Sequence, residues 1–187
     1  MNNLLVVLSS VRPGRVGEPV ADWFMPIAEA DDRFNVEFTD LLELDLPFMD
    51  EPNMPGRREY TKEHTKNWSA IVDRADAFVF VTPEYNSTPA PALKNAIDFL
   101  YHEWAYKPAS FVSYGGVWAG ARAVQALKPT LTQLSVMPVP EMVPIPDVAG
   151  LINEEGVFEA DGRHAKGAAA MLDSLAKWSE ALKSMRQ

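Results

Sequence analysis

The 187-residue chain contains no cysteine. That excludes disulfides, thiolate nucleophiles, iron–sulfur clusters and cysteine-ligated zinc. Histidine is scarce as well: His64, His102 and His164 lie far apart, with no carboxylate at metal-ligand spacing, so no metal centre is expected. No apolar run approaches the roughly 18 residues of a bilayer span. The apolar stretch at residues 4–8 is too short for a signal-peptide core, and it runs into a Ser/Gly/Arg loop where a cleavage site would stand. Cytoplasmic residence is the expectation. Basic residues are outnumbered, 17 Lys and Arg against 26 Asp and Glu, for a net charge of −9. Such a surface repels nucleic acid phosphates and anionic membranes. The few arginine clusters, Arg12 with Arg15 and Arg57 with Arg58, stand out against it.

What is present suits a single domain over residues 1–187: 47% hydrophobic and 23% charged residues, without repeats or linkers. Residues 4–8, 77–81 and 108–114 are nearly continuous apolar runs, the pattern of strands covered on both faces. Residues 34–39 read as a further strand, and the proline-marked stretch 136–146 as a fifth. Helical spacing of apolar residues marks 18–30, 61–75, a helix with Pro91 in its first turn, 117–131 and 164–185. Pro129 is expected to kink or end the fourth of these. Residues 41–60 carry Pro47, Pro52, Pro55 and Gly56 and read as a long irregular connection, uncommon unless it serves a site or an interface. Strands alternating with helices imply an α/β fold, a parallel sheet with helices on both faces. Ligands in such sheets bind beyond the carboxyl ends of the strands.

Three loops leave strand ends with unusual chemistry. Ser9-Ser10-Val11-Arg12-Pro13-Gly14-Arg15-Val16-Gly17 puts hydroxyls, glycines and guanidinium groups between a buried strand and a helix amino terminus, where free N–H groups favour an anion. The alternative is a polar surface loop with solvated arginines. The loop lacks the Gly-Lys-Ser/Thr of a Walker motif and the glycine spacing of a dinucleotide fingerprint, so it suits one terminal phosphate, as in a mononucleotide. Thr82-Pro83-Glu84-Tyr85-Asn86-Ser87-Thr88-Pro89 can lie along a flat ring with its backbone facing ring heteroatoms. Ser113-Tyr114-Gly115-Gly116 lets the backbone approach a ligand closely.

Together these segments resemble the NADPH-dependent FMN reductases and their quinone, azo-dye and chromate reductase relatives. The marks are Ser9-Ser10-Val11-Arg12-Pro13-Gly14-Arg15, then Pro83-Glu84-Tyr85-Asn86-Ser87-Thr88-Pro89-Ala90-Pro91-Ala92-Leu93-Lys94-Asn95-Ala96-Ile97-Asp98, then Lys107-Pro108 and Ser113-Tyr114-Gly115-Gly116. The resemblance implies a flavodoxin-like three-layer α/β/α sandwich on a five-stranded parallel sheet of order 2-1-3-4-5. It implies FMN as cofactor and NADPH or NADH as co-substrate. Ser9, Ser10, Arg12, Arg15, Val16 and Gly17 would hold the FMN phosphate. Pro83, Glu84, Tyr85, Asn86 and Ser87 would lie along the isoalloxazine and ribityl chain, with Ser113, Gly115 and Gly116 at the ring edge. A homodimer or dimer of dimers is implied, with Lys94 and Asp98 either at the subunit interface or as a plain i,i+4 pair. Ala90 and Val117-Trp118-Ala119 depart from the family's usual glycine or small residues, which bears on substrate range. Trp118 reads as a core or interface residue, or else as a cover over the ring.

The expected activity is a ping-pong oxidoreductase passing hydride from nicotinamide to flavin N5 and on to a quinone, free flavin, azo compound or metal oxyanion. The flavin carries that chemistry, so no catalytic side chain is required. Arg57, Arg58 and Tyr60 are weaker candidates for the nicotinamide nucleotide or a partner subunit. The rivals are a flavodoxin-like electron carrier, a flavin-based sensor, and a nucleotide-transferring enzyme with a similar loop. Arg12 and Arg15 argue against the carrier, whose phosphate loop has no cations.

Overall fold

The computed structural model describes residues 1–186. In chain order they form β1 (Asn2–Leu8), α1 (Gly17–Glu29), β2 (Phe34–Asp40), the one-turn α2 (Leu41–Leu44), α3 (Glu63–Arg74), β3 (Ala77–Pro83), α4 (Pro91–Asp98), β4 (Pro108–Tyr114), α5 (Ala121–Gln133), β5 (Met137–Pro138), β6 (Val143–Ile145) and α6 (Gly162–Leu182). Every strand pairing is parallel, in the order β2-β1-β3-β4-β5 with β6 also bonded to β4. The expected order therefore holds. β3 and β4 are buried along their whole length because helices cover both faces. Leu4, Val6, Leu8, Val79 and Val81 face α1 and α6, packing against Val20, Phe24, Met171 and Leu175. Leu5, Val7, Phe78 and Phe80 face the other layer, packing against Trp68, Leu93, Ile97 and Leu127. The alternation of side chains along each strand thus divides the core between two helical layers.

The sheet has six strands where five were expected. The segment 136–146 pairs with β4 twice: Met137 and Pro138 lie beside Pro108 and Ala109, and Val143 to Ile145 beside Val112 to Tyr114. Proline cannot donate to a ladder, and Pro138 and Pro140 break the strand between those two contacts. Ser110 Oγ bridges the gap by donating to Glu141 O at 2.5 Å. Two helices also differ from expectation. α5 begins at Ala121, after a tight turn through residues 117–120, and it continues past Pro129 to Gln133. α4 ends at Asp98, although Leu100 beyond it is buried as its spacing suggests.

The long connection 41–60 is pinned at several points. Asn95 of α4 donates from Nδ2 to Pro47 O (2.8 Å) and accepts from Met49 N (3.1 Å). Glu51 accepts from the amides of Thr61 and Lys62, at 2.8 and 2.9 Å, and so ties the connection to the residues just before α3. Glu103, fully buried, accepts from Ser69 Oγ (2.7 Å), Tyr60 Oη (3.0 Å), Tyr101 N (3.2 Å) and Arg58 Nε (3.3 Å). Burial works against its charge, but the hydrogen bond from Ser69, its own backbone amide, Tyr60 and the Arg58 charge hold the carboxyl below its usual range.

Lys107 closes the opposite end of α3. It is buried, and its ammonium donates to Val72 O and Asp73 O, both at 2.9 Å. Burial pushes it down to about 8 from 10.5, with Asp73 pulling the other way. The unfolded chain therefore keeps this proton over a pH range in which the fold has released it. By linkage, its contribution to stability rises from about pH 8 to 10.5 and is lowest below pH 8. Denaturant titrations across that window should show the Lys107→Met variant losing this rise relative to wild type.

Candidate active site

β1, β3 and β4 are neighbours in the sheet, so the loops leaving their carboxyl ends meet at one edge of the molecule. In the first loop, Ser9 is fixed to the next strand: its amide and its Oγ both donate to Val81 O, at 3.0 and 2.8 Å. Ser10 is buried, and Tyr114 Oη at the end of β4 donates to its Oγ at 3.0 Å. Burial pushes the Tyr114 phenol up, so it stays a donor at neutral pH. Ser10 Oγ, supplied with that hydrogen, keeps its own O–H to give to a ligand.

Arg15 lies differently from a simple phosphate clamp. Its Nη1 donates to Ser10 O (2.6 Å) and Asp40 Oδ1 (2.7 Å), and its Nη2 to Asp40 Oδ2 and Glu18 Oε1, both at 2.5 Å. The four terminal hydrogens are spent inside the protein, which leaves Nε. Asp40 is itself held, accepting from Leu42 N at 2.9 Å as the cap of α2. Arg15 thus braces the backbone of the loop against β2. Arg12 is exposed and has no ion pair among the described residues, so it is the loop's available cation.

Val16 and Gly17 open α1, whose first turn has no side-chain cap. Its leading N–H groups therefore lack partners of their own. Gly17 is dictated by space. A Cβ there would overlap Tyr114 Oη and lie 2.6 Å from Ser10 Oγ and 2.8 Å from Leu8 Cδ1. The same contacts draw α1, the loop and β4 together. The donors left over are the Ser10 hydroxyl, the Arg12 guanidinium and the α1 amides, a set suited to a phosphate monoester.

In the second loop, β3 continues through Thr82 and Pro83 before the chain reverses. Tyr85 and Thr88 exchange backbone hydrogen bonds at 2.9 and 3.0 Å. Between them Asn86 and Ser87 both have positive φ, 51° and 67°, as the tight two-residue hairpin requires. Glu84 turns away from that tip. Its carboxylate accepts from Arg122 Nε (2.6 Å) and from the Arg122 amide (3.2 Å), which places a negative charge at the start of α5.

In the third loop, Ser113 Oγ donates inward to Ala119 O at 2.8 Å and does not face the cleft. Gly115 is close to Gly120 N, 3.3 Å from a Cβ placed on it, and Gly116 borders open space. The constrained glycine is Gly120: its φ is +76°, and a Cβ would lie 2.9 Å from Ser113 Cβ and Tyr114 N. Trp118 is 58% exposed and rests on the Arg122 guanidinium, so it does not belong to the core.

Sequence reading missed Asp40, Gly120 and Arg122 as parts of this arrangement, and it placed Tyr114 in the third loop without a role for its hydroxyl. Arg58 and Tyr60 serve the Glu103 cluster. Lys94 and Asp98 pair within α4 at 2.5 Å.

The model of the NADPH-dependent FMN reductase family matches residues 2–150. The chain is 32% identical over 197 residues to an NAD(P)H-dependent FMN reductase of Nectria sp., an alignment covering 99% of this chain and 97% of that protein. It is 44% identical over 124 residues to an NAD(P)H-dependent FMN reductase of Schizosaccharomyces pombe, over 65% of this chain and 62% of that one. Among solved structures, FerB, the flavoenzyme NAD(P)H:(acceptor) oxidoreductase of Paracoccus denitrificans, superimposes with a TM-score of 0.76 at 25% identity, covering 97% of this chain and 99% of that chain. Motif, architecture and relatives agree: the chain belongs to the NADPH-dependent FMN reductase family.

Proposed function

We propose that the three loops hold FMN and that the chain reduces small acceptors with NADPH or NADH in a ping-pong cycle. FMN held there would supply the two-electron chemistry between the nicotinamide and a quinone, free flavin, azo compound or metal oxyanion. The residues bind and orient. Ser10, Arg12 and the amides of Val16 and Gly17 take the phosphate, while Arg15 holds the loop in shape. Pro83, Glu84, Tyr85, Asn86 and Ser87 present their backbone to the ring and ribityl chain, and Gly115 and Gly116 keep the ring edge open. Ser9 and Ser113 act through their buried hydrogen bonds. The observation that carries this reading is the Tyr114–Ser10 hydrogen bond, which links β4 to the loop and aims a buried hydroxyl at the helix amino terminus.

With Arg15 committed to Asp40, the weight of the argument against a passive electron carrier falls on Arg12. Arg12→Ala should raise the FMN dissociation constant about 10- to 100-fold, since a hydrogen bond to a charged group is worth about 1.5–3 kcal/mol. Fluorescence titration of apoprotein with FMN measures it. Purified protein should be yellow and should bleach anaerobically on mixing with NADPH or NADH. Protein that binds FMN but bleaches with neither nicotinamide would be a carrier or sensor.

The assembly we infer is a cytoplasmic homodimer or dimer of dimers. Phe48 is 87% exposed and Met54 71%, with Met49 and Tyr101 also open on the face made by the long connection and the end of α4. Exposed apolar groups gathered in this way favour association. Sedimentation of Phe48→Glu should show a smaller species than wild type. Among the described residues no helix is long and apolar enough to cross a membrane.

A further inference from the structure

We propose that Trp118 and Arg122 form a shelf beside the site that selects planar aromatic acceptors bearing an anionic substituent. The proposal rests on the reductase reading above and deepens it. Trp118 is the most exposed large aromatic of the third loop, and its outward position is imposed by the backbone. Ala119 has φ +53° and Gly120 φ +76°. A non-glycine residue in that region carries strain of about 1–2 kcal/mol. The conformation is held by Ala119 N to Gly116 O (2.9 Å), Ala121 N to Trp118 O (2.8 Å) and Ser113 Oγ to Ala119 O (2.8 Å). The turn fixes the Trp118 backbone, and the stack on Arg122 sets the indole.

Arg122 lies under one face of that indole, its guanidinium carbon 5.3 Å from the ring centroid. Glu84, whose side chain is only 7% exposed, accepts from Nε and forms an ion pair with Nη2. The Nη1 hydrogens have no partner among the described residues, and half of the Arg122 side chain is open to solvent. An aromatic face and free guanidinium donors therefore sit side by side. Glu84 belongs to the second loop and Trp118 to the third, so the shelf stands between the two loops assigned to the flavin ring. The chain's net charge of −9 would repel an anionic acceptor at long range. Glu84 offsets the Arg122 charge at that range, so the selection is made at contact, by the open guanidinium donors beside the aromatic ring.

The test uses oxidised holoprotein without nicotinamide, so binding is read apart from turnover. Calorimetric titration with anthraquinone sulfonate and with its neutral hydroxymethyl counterpart should show the sulfonate bound about tenfold more tightly, a charge-assisted contact. Arg122→Gln should erase that preference, and Arg122→Lys should keep part of it. Trp118→Leu should weaken both ligands about tenfold, as lost stacking does. In steady state, Arg122→Gln should raise the KM for the sulfonate with little change in kcat. Equal affinity of wild type for the two ligands would overturn the shelf. So would a Trp118→Leu variant that dissociates the oligomer and leaves both affinities intact, because the tryptophan would then be a subunit contact. A holoprotein that is not bleached by either nicotinamide sinks the reductase reading itself, independently of these affinities.

Discussion

Gly17→Ala should lose most of its affinity for FMN while retaining the fold. The added methyl meets Tyr114 Oη, Ser10 Oγ and Leu8 Cδ1, all on buried residues of β1, β4 and the first loop. None can retreat into solvent, so the amino terminus of α1 must move. Overpacking of this kind costs about 1–3 kcal/mol. The displaced groups are the proposed phosphate donors, so the FMN dissociation constant should rise at least about tenfold, a factor equivalent to 1.4 kcal/mol. The mechanism has an internal control. Tyr114→Phe removes the nearest obstructing atom together with its bond to Ser10, so the comparison is the cost of Gly17→Ala in each background, which should be smaller in Tyr114→Phe than in wild type. An equal cost in the two backgrounds would show that crowding against the tyrosine is not the cause.

Arg15→Gln should produce the largest loss of stability among single polar substitutions in the loop. Arg15 and Asp40 are each 6% exposed at the side chain and share two hydrogen bonds. Removing one partner of a buried pair leaves the other charge uncompensated, at a cost of about 3–5 kcal/mol. For a chain of this size each kcal/mol corresponds to about 2–4 °C, so Tm should fall by about 6–20 °C. Asp40→Asn alone should be similarly damaging, and Arg15→Gln/Asp40→Asn should be less so than the sum of the two. Strict additivity in thermal melts would show that the pair is not coupled. FMN binding should suffer too, because Arg15 also holds Ser10 O.

How much of this was legible in the sequence follows from how far each feature reaches along the chain. β1, β3 and β4 are local patterns, and continuous apolar runs bounded by polar loops identify them. The loops at 9–17 and 82–89 are also local, since their residue types mark them within a few positions, although the hairpin at Asn86-Ser87 emerges only from the structure. What escaped is non-local. Asp40 lies 25 residues from Arg15, and nothing near Arg15 announces that its guanidinium is taken. Tyr114 falls in the third loop by its neighbours, yet nothing beside it shows that its hydroxyl reaches Ser10, 104 positions away. Gly120 is required because of the backbone crossing at Ser113 and Tyr114, which composition cannot display. The prolines of 136–146 were visible, but only the register against β4 shows that they divide the segment into two strands.

That division also governs how the molecule meets its neighbours. A sheet edge with a long run of unpaired N–H and C=O groups is a template for another chain. Here one margin is two residues of β5 and three of β6, with a proline in each, so it offers few donors to an incoming strand. The opposite margin, β2, is seven residues long but carries Glu37 paired with Arg74, and such charge discourages strand addition. Growth by edge-to-edge pairing is thereby suppressed at both margins. Any association between copies of this chain is left to side chains on loops and helices.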